Sequence, residues 1–265
     1  MSFFSQIRGL IRPPEPAGGS RIAVFGDSHT AALISAKDFP ERKGDYEHIR
    51  IYRLLKEKDG KAVGDSTLED FCSDIRSFRP DDLVFSAVGG NQYAVISTVR
   101  DPISYDFMSS PDDRISPGAE LVPFRTVAGY ISKGVRGAIG PVLKQIREAT
   151  SARVFHLAPP PPKKDNKFIR THFESRFADL GIENMGPTPA GLRLKCWQVQ
   201  LDCLGELCGE LGITLVRPPG RGVTPEGYLA PRYYAKDVTH ANRRYGEIVL
   251  RQMLELAAGQ GEAEA

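Results

Sequence analysis

Three residues have the chemical types that a serine nucleophile requires. Ser28 stands in "VFGDSHTAAL", between an apolar run and a run of helix-forming alanines. Asp237 and His240 lie three residues apart in "AKDVTHAN", shortly before an apolar pattern of helical period. A serine hydroxyl attacks poorly unless a base takes its proton, and an imidazole needs a carboxylate or carbonyl to fix its tautomer. The set predicts nucleophilic catalysis if the fold brings Ser28 to the Asp237/His240 pair.

Each feature also has a purely structural interpretation. Ser28 and Asp27 are favoured residues for capping the helix that the sequence predicts over 29–37. An Asp-x-x-His pair is often a helix cap or a satisfied surface histidine. On the first stretch alone, capping and catalysis are equally well supported.

A third stretch, "VFSAVGGNQY", ends an apolar run in Gly89, Gly90 and Asn91. Glycines let the backbone approach a ligand closely, and an asparagine amide is a neutral donor for a developing oxyanion. Gly and Asn are also common in the turn after a strand. Taken together and at strand ends, the three stretches favour a site over three separate structural features.

The elements that must position these residues follow from the apolar pattern. Short runs rich in branched or aromatic residues alternate with helical patterns, which is typical of βαβ units and a parallel sheet. Ligands of open α/β sheets bind at the carboxyl edge, where the stretches with Ser28 and Asn91 both stand. The predicted strands cover 21–26, 48–54, 82–88, 153–158 and 213–217.

The chain is predicted to form a single domain over 21–258. It follows a Pro/Gly-rich leader, residues 1–20, and ends in a flexible tail, 259–265. Two long connections, about 100–135 and 159–190, are rich in Pro, Ser and Asp or begin with "PPPPKKDNKF". Long connections of this kind commonly serve as lids or binding loops.

The bulk composition excludes several classes of protein. The 265 residues are 41% hydrophobic and 26% charged with a net charge of +2, which speaks against wholesale disorder and a nucleic-acid partner. No run approaches the ~20 apolar residues of a transmembrane segment. Four cysteines without paired spacing indicate free thiols in a reducing compartment. We therefore expect a cytoplasmic protein.

The leader carries five apolar residues at helical spacing. A short helix packed on its own domain, or a partly ordered leader, is favoured over peripheral contact with a membrane or a partner, because amphipathic spacing is common. The oligomeric state does not follow from the sequence. The five residues are Phe3, Phe4, Ile7, Leu10 and Ile11.

Common cofactor and metal motifs are missing from the sequence. "GDSHT" lacks the last glycine of the G-x-S-x-G elbow, and neither a phosphate-binding loop, a dinucleotide fingerprint nor H-E-x-x-H occurs. We therefore expect no cofactor and no metal. A metal site built from Asp27, His29 and His240 is a remote alternative.

The order of the three stretches resembles the SGNH hydrolases, also called the GDSL esterase/lipase family. "GDSH" at 26–29, "GGN" at 89–91 and "DVTH" at 237–240 follow the family's order over about residues 21–257. The resemblance implies a flavodoxin-like three-layer α/β/α fold with about five parallel strands. It also implies a serine esterase.

The family's roles transfer onto matching positions. By the resemblance Ser28 is the nucleophile, His240 the general base and Asp237 its orienting partner. Asn91 is then an oxyanion donor together with the Ser28 backbone N–H. The oxyanion glycine expected after the second strand is assigned to Gly64, with Gly60 as the alternative.

The sequence departs from the family signature in two places. His29 replaces the leucine of GDSL, a variant similar to SGNH domains associated with bacterial polysaccharide acylation and deacylation. Gln92 stands where the family often has Asp, which leaves catalysis feasible and affects how that loop is held.

The predicted substrate is a small acyl ester, such as acetyl, on a carbohydrate or another small molecule. Gly90, His29, Tyr105 and Arg125 are the predicted substrate-binding residues, and packing of the loop on the body is the alternative for the aromatic residue. Two other functions stay open. One is an acyltransferase using the same site, and the other is a non-catalytic carbohydrate-binding or scaffold protein of the same fold.

Overall fold

The structure is a computed structural model that describes residues 19–42, 44–58 and 60–259. The predicted amphipathic face of the leader and the tail from residue 260 onward therefore lie outside the described residues. Among the helices of the described part, none combines the length and the apolar character that a membrane crossing needs.

Five parallel strands form the central sheet, as predicted. The strands are β1 Ile22–Gly26, β2 Ile49–Arg53, β5 Leu83–Ala87, β8 Arg153–Leu157 and β9 Thr214–Val216. Their order across the sheet is β2-β1-β5-β8-β9, and every neighbouring pair is parallel. This is the flavodoxin-like order, so the predicted α/β fold class is confirmed.

Helices cover both faces of the sheet, because the central strands are apolar on both sides. Every residue of β1 and β5 is buried, as expected for a parallel sheet packed between two helical layers. The alternation along β1 sends Phe25 to one core cluster and Val24 to the other. One layer comprises α1 Thr30–Lys37 and α10 Arg243–Ala257, and the other α2 Leu68–Ile75, α3 Gln92–Ser97, α4 Phe124–Ala138, α5 Gly140–Ala149 and α9 Ala190–Glu210.

The first long connection is more regular than predicted. It contains two short strands, β6 Tyr105–Asp106 and β7 Glu120–Leu121, and α4 already begins at Phe124. The loop prediction is therefore wrong for 124–135, which is helical. A buried ion pair between Asp106 and Lys195 fixes β6 to α9, because a buried charge requires a partner.

The second long connection contains three short helices and packs against α9. Arg193 in α9 is 1% exposed and donates to Lys163 O, to the Asn166 side chain and to Thr188 O. One buried guanidinium thus ties both ends of the segment to α9. The helices are α6 Asn166–Thr171, α7 Ser175–Asp179 and α8 Ile182–Met185.

Candidate active site

Ser28 lies in the turn between β1 and α1, at the carboxyl edge of the sheet. The N-cap residue of α1 is His29, and no side chain caps the helix. Asp27 Oδ2 instead accepts a hydrogen bond of 3.2 Å from the Gly89 N–H. Asp27 therefore joins the ends of β1 and β5, and the capping interpretation of the polar triplet does not hold.

Asp237 and His240 form a hydrogen-bonded pair within one turn. Asp237 Oδ2 lies 2.9 Å from His240 Nδ1, and Asp237 Oδ1 accepts the His240 backbone N–H at 2.7 Å. A carboxylate only accepts, so Nδ1 carries the proton and Nε2 is the basic nitrogen. His240 Nε2 is buried and has no hydrogen-bond partner among the described residues.

The charge of Asp237 is stabilised by its neighbours. Burial opposes ionisation, but the hydrogen bonds from the His240 ring and backbone and the charge of Lys163 outweigh it, lowering the pKa of Asp237 to about 2. The carboxylate is therefore ionised at any pH at which histidine is neutral. It can hold the imidazole in one tautomer and stabilise an imidazolium.

Ser28, Asp237 and His240 line one cavity of about 420 Å³. Its wall also includes Gly89 after β5 and Pro159 after β8. His240 Nε2 is not hydrogen bonded to Ser28 here, and such bonds are often long in apo sites and tighten on binding. The fold has thus brought together residues that are more than 200 positions apart in sequence.

Gly90 and Asn91 lie next to the cavity without forming its wall. Asn91 begins α3 and makes no capping hydrogen bond with its side chain. Gly90 has φ +107°, and a Cβ there would lie 2.8 Å from Pro159 Cβ and 3.1 Å from His29 Nε2. Only glycine fits between these two groups.

After β2 the chain forms a hairpin of two short strands, β3 Lys56–Lys58 and β4 Lys61–Val63. This hairpin brings Gly64 back to the end of β2. Its φ of +107° and a Cβ position only 2.2 Å from Leu54 O make glycine obligatory. Gly60 lies at the hairpin tip with open space around it. Of the two candidate oxyanion glycines, Gly64 is the one beside the sheet edge, although it does not line the cavity.

Tyr105 and Arg125 are not brought to Ser28. Tyr105 lines a second cavity of about 560 Å³, and its hydroxyl donates to Ile96 O at 2.7 Å. Arg125 is exposed on α4 and lines neither of these cavities. The packing alternative therefore describes Tyr105, and the first long connection does not supply these contacts to the cavity at Ser28.

Two further histidines lie at this cavity or close to it, and the half-buried His29, a predicted substrate-binding residue, is part of its wall. The ring centroids of His29 and His240 are 5.1 Å apart. Burial and the charge of His240 lower the pKa of His29 to about 4. His156, in β8, is 1% exposed, and burial with the charge of His29 lowers its pKa to about 4 as well. Both rings are thus neutral at pH 7, so neither repels a protonated His240.

Glu174 and Lys163 hold the turn that carries His240, and sequence reasoning did not identify them. Glu174 accepts the Val238 N–H and the Thr239 hydroxyl, each at 3.0 Å. Lys163 is 1% exposed and donates to the carbonyls of Ala235, at 2.8 Å, and Asp237. Both come from the second long connection, and no spacing in the sequence relates them to the turn.

Glu174, Asp237 and His240 also place potential metal-ligand atoms within 4.8 Å of one another. Their oxygens already accept hydrogen bonds from the turn, and His240 Nδ1 bonds to Asp237. This hydrogen-bond network explains the cluster without a metal. It also differs from the alternative set Asp27, His29 and His240.

Replacing Glu174 by alanine is expected to lower kcat/KM for an ester roughly 10-fold to 30-fold. Two hydrogen bonds at about 1 kcal/mol each would no longer hold the His240 turn. Glu174→Gln, which keeps one acceptor, is expected to lose less. The control is Glu226→Gln, an exposed glutamate paired with Lys164. Equal kcat/KM for the alanine variant and the wild type would show that the turn holds itself.

Comparison with solved structures returns ester hydrolases at low sequence identity. A GDSL-like lipase from Bacteroides thetaiotaomicron is 13% identical, with 97% of this chain and 96% of that chain covered and a TM-score of 0.45. An extracellular lipase from Streptomyces rimosus is 11% identical, with 90% and 99% covered and a TM-score of 0.46. Phospholipase A1 from Streptomyces albidoflavus is 11% identical, with the same coverages and a TM-score of 0.42.

Neither a protein-family model nor a curated protein matches this chain. At this level of likeness, the function of the chain has to be derived from its own site.

Proposed function

We propose that this chain is a serine esterase of the SGNH hydrolase type. The observation that supports this most directly is the Asp237–His240 hydrogen bond in the wall of the cavity that Ser28 also lines. It leaves His240 Nε2 as a basic nitrogen without a partner among the described residues. The alternatives, a surface histidine or a helix cap, do not account for a carboxylate bound to Nδ1 and an Nε2, unpaired in the described part of the chain, at a cavity.

In the proposed first step, Ser28 Oγ attacks the ester carbonyl while His240 Nε2 takes its proton. The C–O bond to the alcohol breaks as the tetrahedral intermediate collapses, and His240 returns the proton to the leaving oxygen. Asp237 stabilises the imidazolium formed in between. Because His29 and His156 are neutral at pH 7, neither ring adds a positive charge beside it.

The negative charge on the tetrahedral oxygen requires donors. We assign the Ser28 backbone N–H, the Asn91 amide and the Gly64 N–H to this role, in line with the family resemblance. The Asn91 side chain does not cap α3 and lies within reach of His29. Such donors are typically worth ~10²–10³ in rate each.

In the second step, water releases the acyl group. His240 takes a proton from water, the hydroxide adds to the acyl carbonyl, and the proton returns to Ser28 Oγ as the acyl–oxygen bond breaks. A cavity of about 420 Å³ suits a small ligand. A short acyl group such as acetyl, on a sugar or another polar alcohol, is therefore the first substrate class to assay.

Covalent labelling tests the proposal directly. A fluorophosphonate should modify the purified protein at one site, which peptide mass spectrometry should map to Ser28. Ser28→Ala should not be labelled and should not hydrolyse para-nitrophenyl acetate. Ser35→Ala, which changes another serine of the same cavity wall, should still be labelled and should still hydrolyse the ester. A protein that is neither labelled nor active would be the non-catalytic binding or scaffold protein instead.

A further inference from the structure

The cavity wall carries a positive charge that the proposed reaction does not use. Arg53 is the last residue of β2 and lines the cavity together with Ser28. Side chains alternate along a strand: Tyr52 packs on Phe71 in one layer, whereas Ile51 packs in the layer of α1. Arg53 therefore points to the side of α1, as Ile51 does.

The Arg53 guanidinium has no carboxylate partner in the part of the chain that the structure describes. Asp65 accepts the Arg53 backbone N–H through Oδ1 at 2.8 Å. The cavity carboxylates of Glu174 and Asp237 are engaged in the His240 turn. The other arginine of the cavity wall, Arg243, lies 4.0 Å from Glu247 and covers the Phe39 ring.

Arg53 and His240 reach the cavity at Ser28 from different parts of the fold. Gly26, two residues before Ser28, pairs with Arg53 in the register of β1 and β2. His240 packs near His29, which lies against Gly90 beyond β5. A substrate whose ester carbonyl is at Ser28 thus lies in a cavity whose wall holds both the proton-transferring imidazole and the Arg53 guanidinium.

We propose that Arg53 is a subsite for an anionic group and that the preferred substrate is an ester bearing a carboxylate, phosphate or sulfate. This inference rests on the proposed esterase function. An arginine guanidinium keeps its charge at physiological pH and binds carboxylate or phosphate through two parallel hydrogen bonds. Partial enclosure by the cavity strengthens this attraction relative to bulk water.

Two matched pairs of esters test the subsite. Para-nitrophenyl hemisuccinate against para-nitrophenyl butyrate places the charge on the acyl side. Acetoxybenzoate against phenyl acetate places it on the alcohol side. We expect the wild type to prefer the anionic member of at least one pair, and the pair that shows it identifies which part of the substrate reaches Arg53. Added salt should reduce the preference.

Arg53→Gln should lower kcat/KM for that anionic ester ~10-fold or more, mainly through KM, and leave the neutral ester within about twofold. The control is Arg50→Gln, which replaces an exposed arginine of the same strand. It should leave kcat/KM for the anionic ester and for the neutral ester unchanged. Equal losses on both esters, or no anionic preference in the wild type, would overturn the subsite. Failure of the esterase proposal is distinguishable, since Ser28→Ala would then leave neutral-ester hydrolysis unchanged.

Discussion

Asp237→Asn is expected to lower kcat for a short-chain ester ~10³-fold to 10⁴-fold. An amide in place of the carboxylate can donate to Nδ1, which would put the proton on Nε2, the nitrogen that must accept the Ser28 proton. A similar substitution in a serine protease triad costs about 10⁴ in kcat through the wrong tautomer. Steady-state hydrolysis of para-nitrophenyl acetate at pH 8 measures the effect.

The fold should survive this substitution. An asparagine carbonyl can still accept the His240 backbone N–H that Asp237 Oδ1 accepts at 2.7 Å, and Lys163 binds main-chain carbonyls of the turn. Thermal unfolding should therefore stay cooperative, with a Tm below that of the wild type, because the carboxylate 3.5 Å from the buried Lys163 Nζ is lost. Asp101→Asn, an exposed aspartate that accepts the Ile103 N–H, controls for the change of charge. A variant with kcat within tenfold of wild type would mean that Asp237 does not set the tautomer of His240.

The central sheet could be predicted from the sequence because its middle strands are mainly apolar on both faces. In β1 and β5 every side chain is buried, and Ser86 is the one polar residue in these two short runs, which end at a glycine and an alanine. The helices of the second long connection could not be predicted in this way. They are short and polar. Their segment is held by hydrogen bonds from the buried Arg193 side chain, whose partners lie up to 30 residues away in sequence.

The candidate site could be predicted only in part. The Asp237/His240 pair was recognisable because both residues lie in one turn. Glu174 and Lys163 were not, because their contacts with that turn span 64 to 74 residues. Tyr105 was expected at the site since it follows β5, but the tertiary ion pair Asp106–Lys195 fixes its segment against α9.

His156 makes the stability of the fold depend on pH. Burial and the charge of His29 lower its pKa from 6.5 to about 4, so between these values the unfolded chain binds a proton that the folded chain excludes. The free energy of unfolding therefore rises with pH by ~1 kcal/mol per unit across this window. Acidification from pH 6.5 to 4 should remove about 3 kcal/mol on this account.

Urea unfolding at several pH values between 4 and 7 measures this slope. His29 has a similarly lowered pKa of about 4, so His156→Leu should reduce the slope by roughly half and not abolish it. The slope reports the titration alone, because a packing change caused by leucine alters the free energy of unfolding by the same amount at every pH.

An unchanged slope in His156→Leu would mean that the folded protein already protonates His156 above pH 4. Both ring nitrogens of His156 lack a hydrogen-bond partner among the described residues, so such protonation would require water or an acidic group to reach the ring. The charge of Asp27 favours the protonated form of His156. Asp27 also joins β1 to β5 beside Ser28. Asp27 therefore links the acid sensitivity of the fold to the turn that carries Ser28.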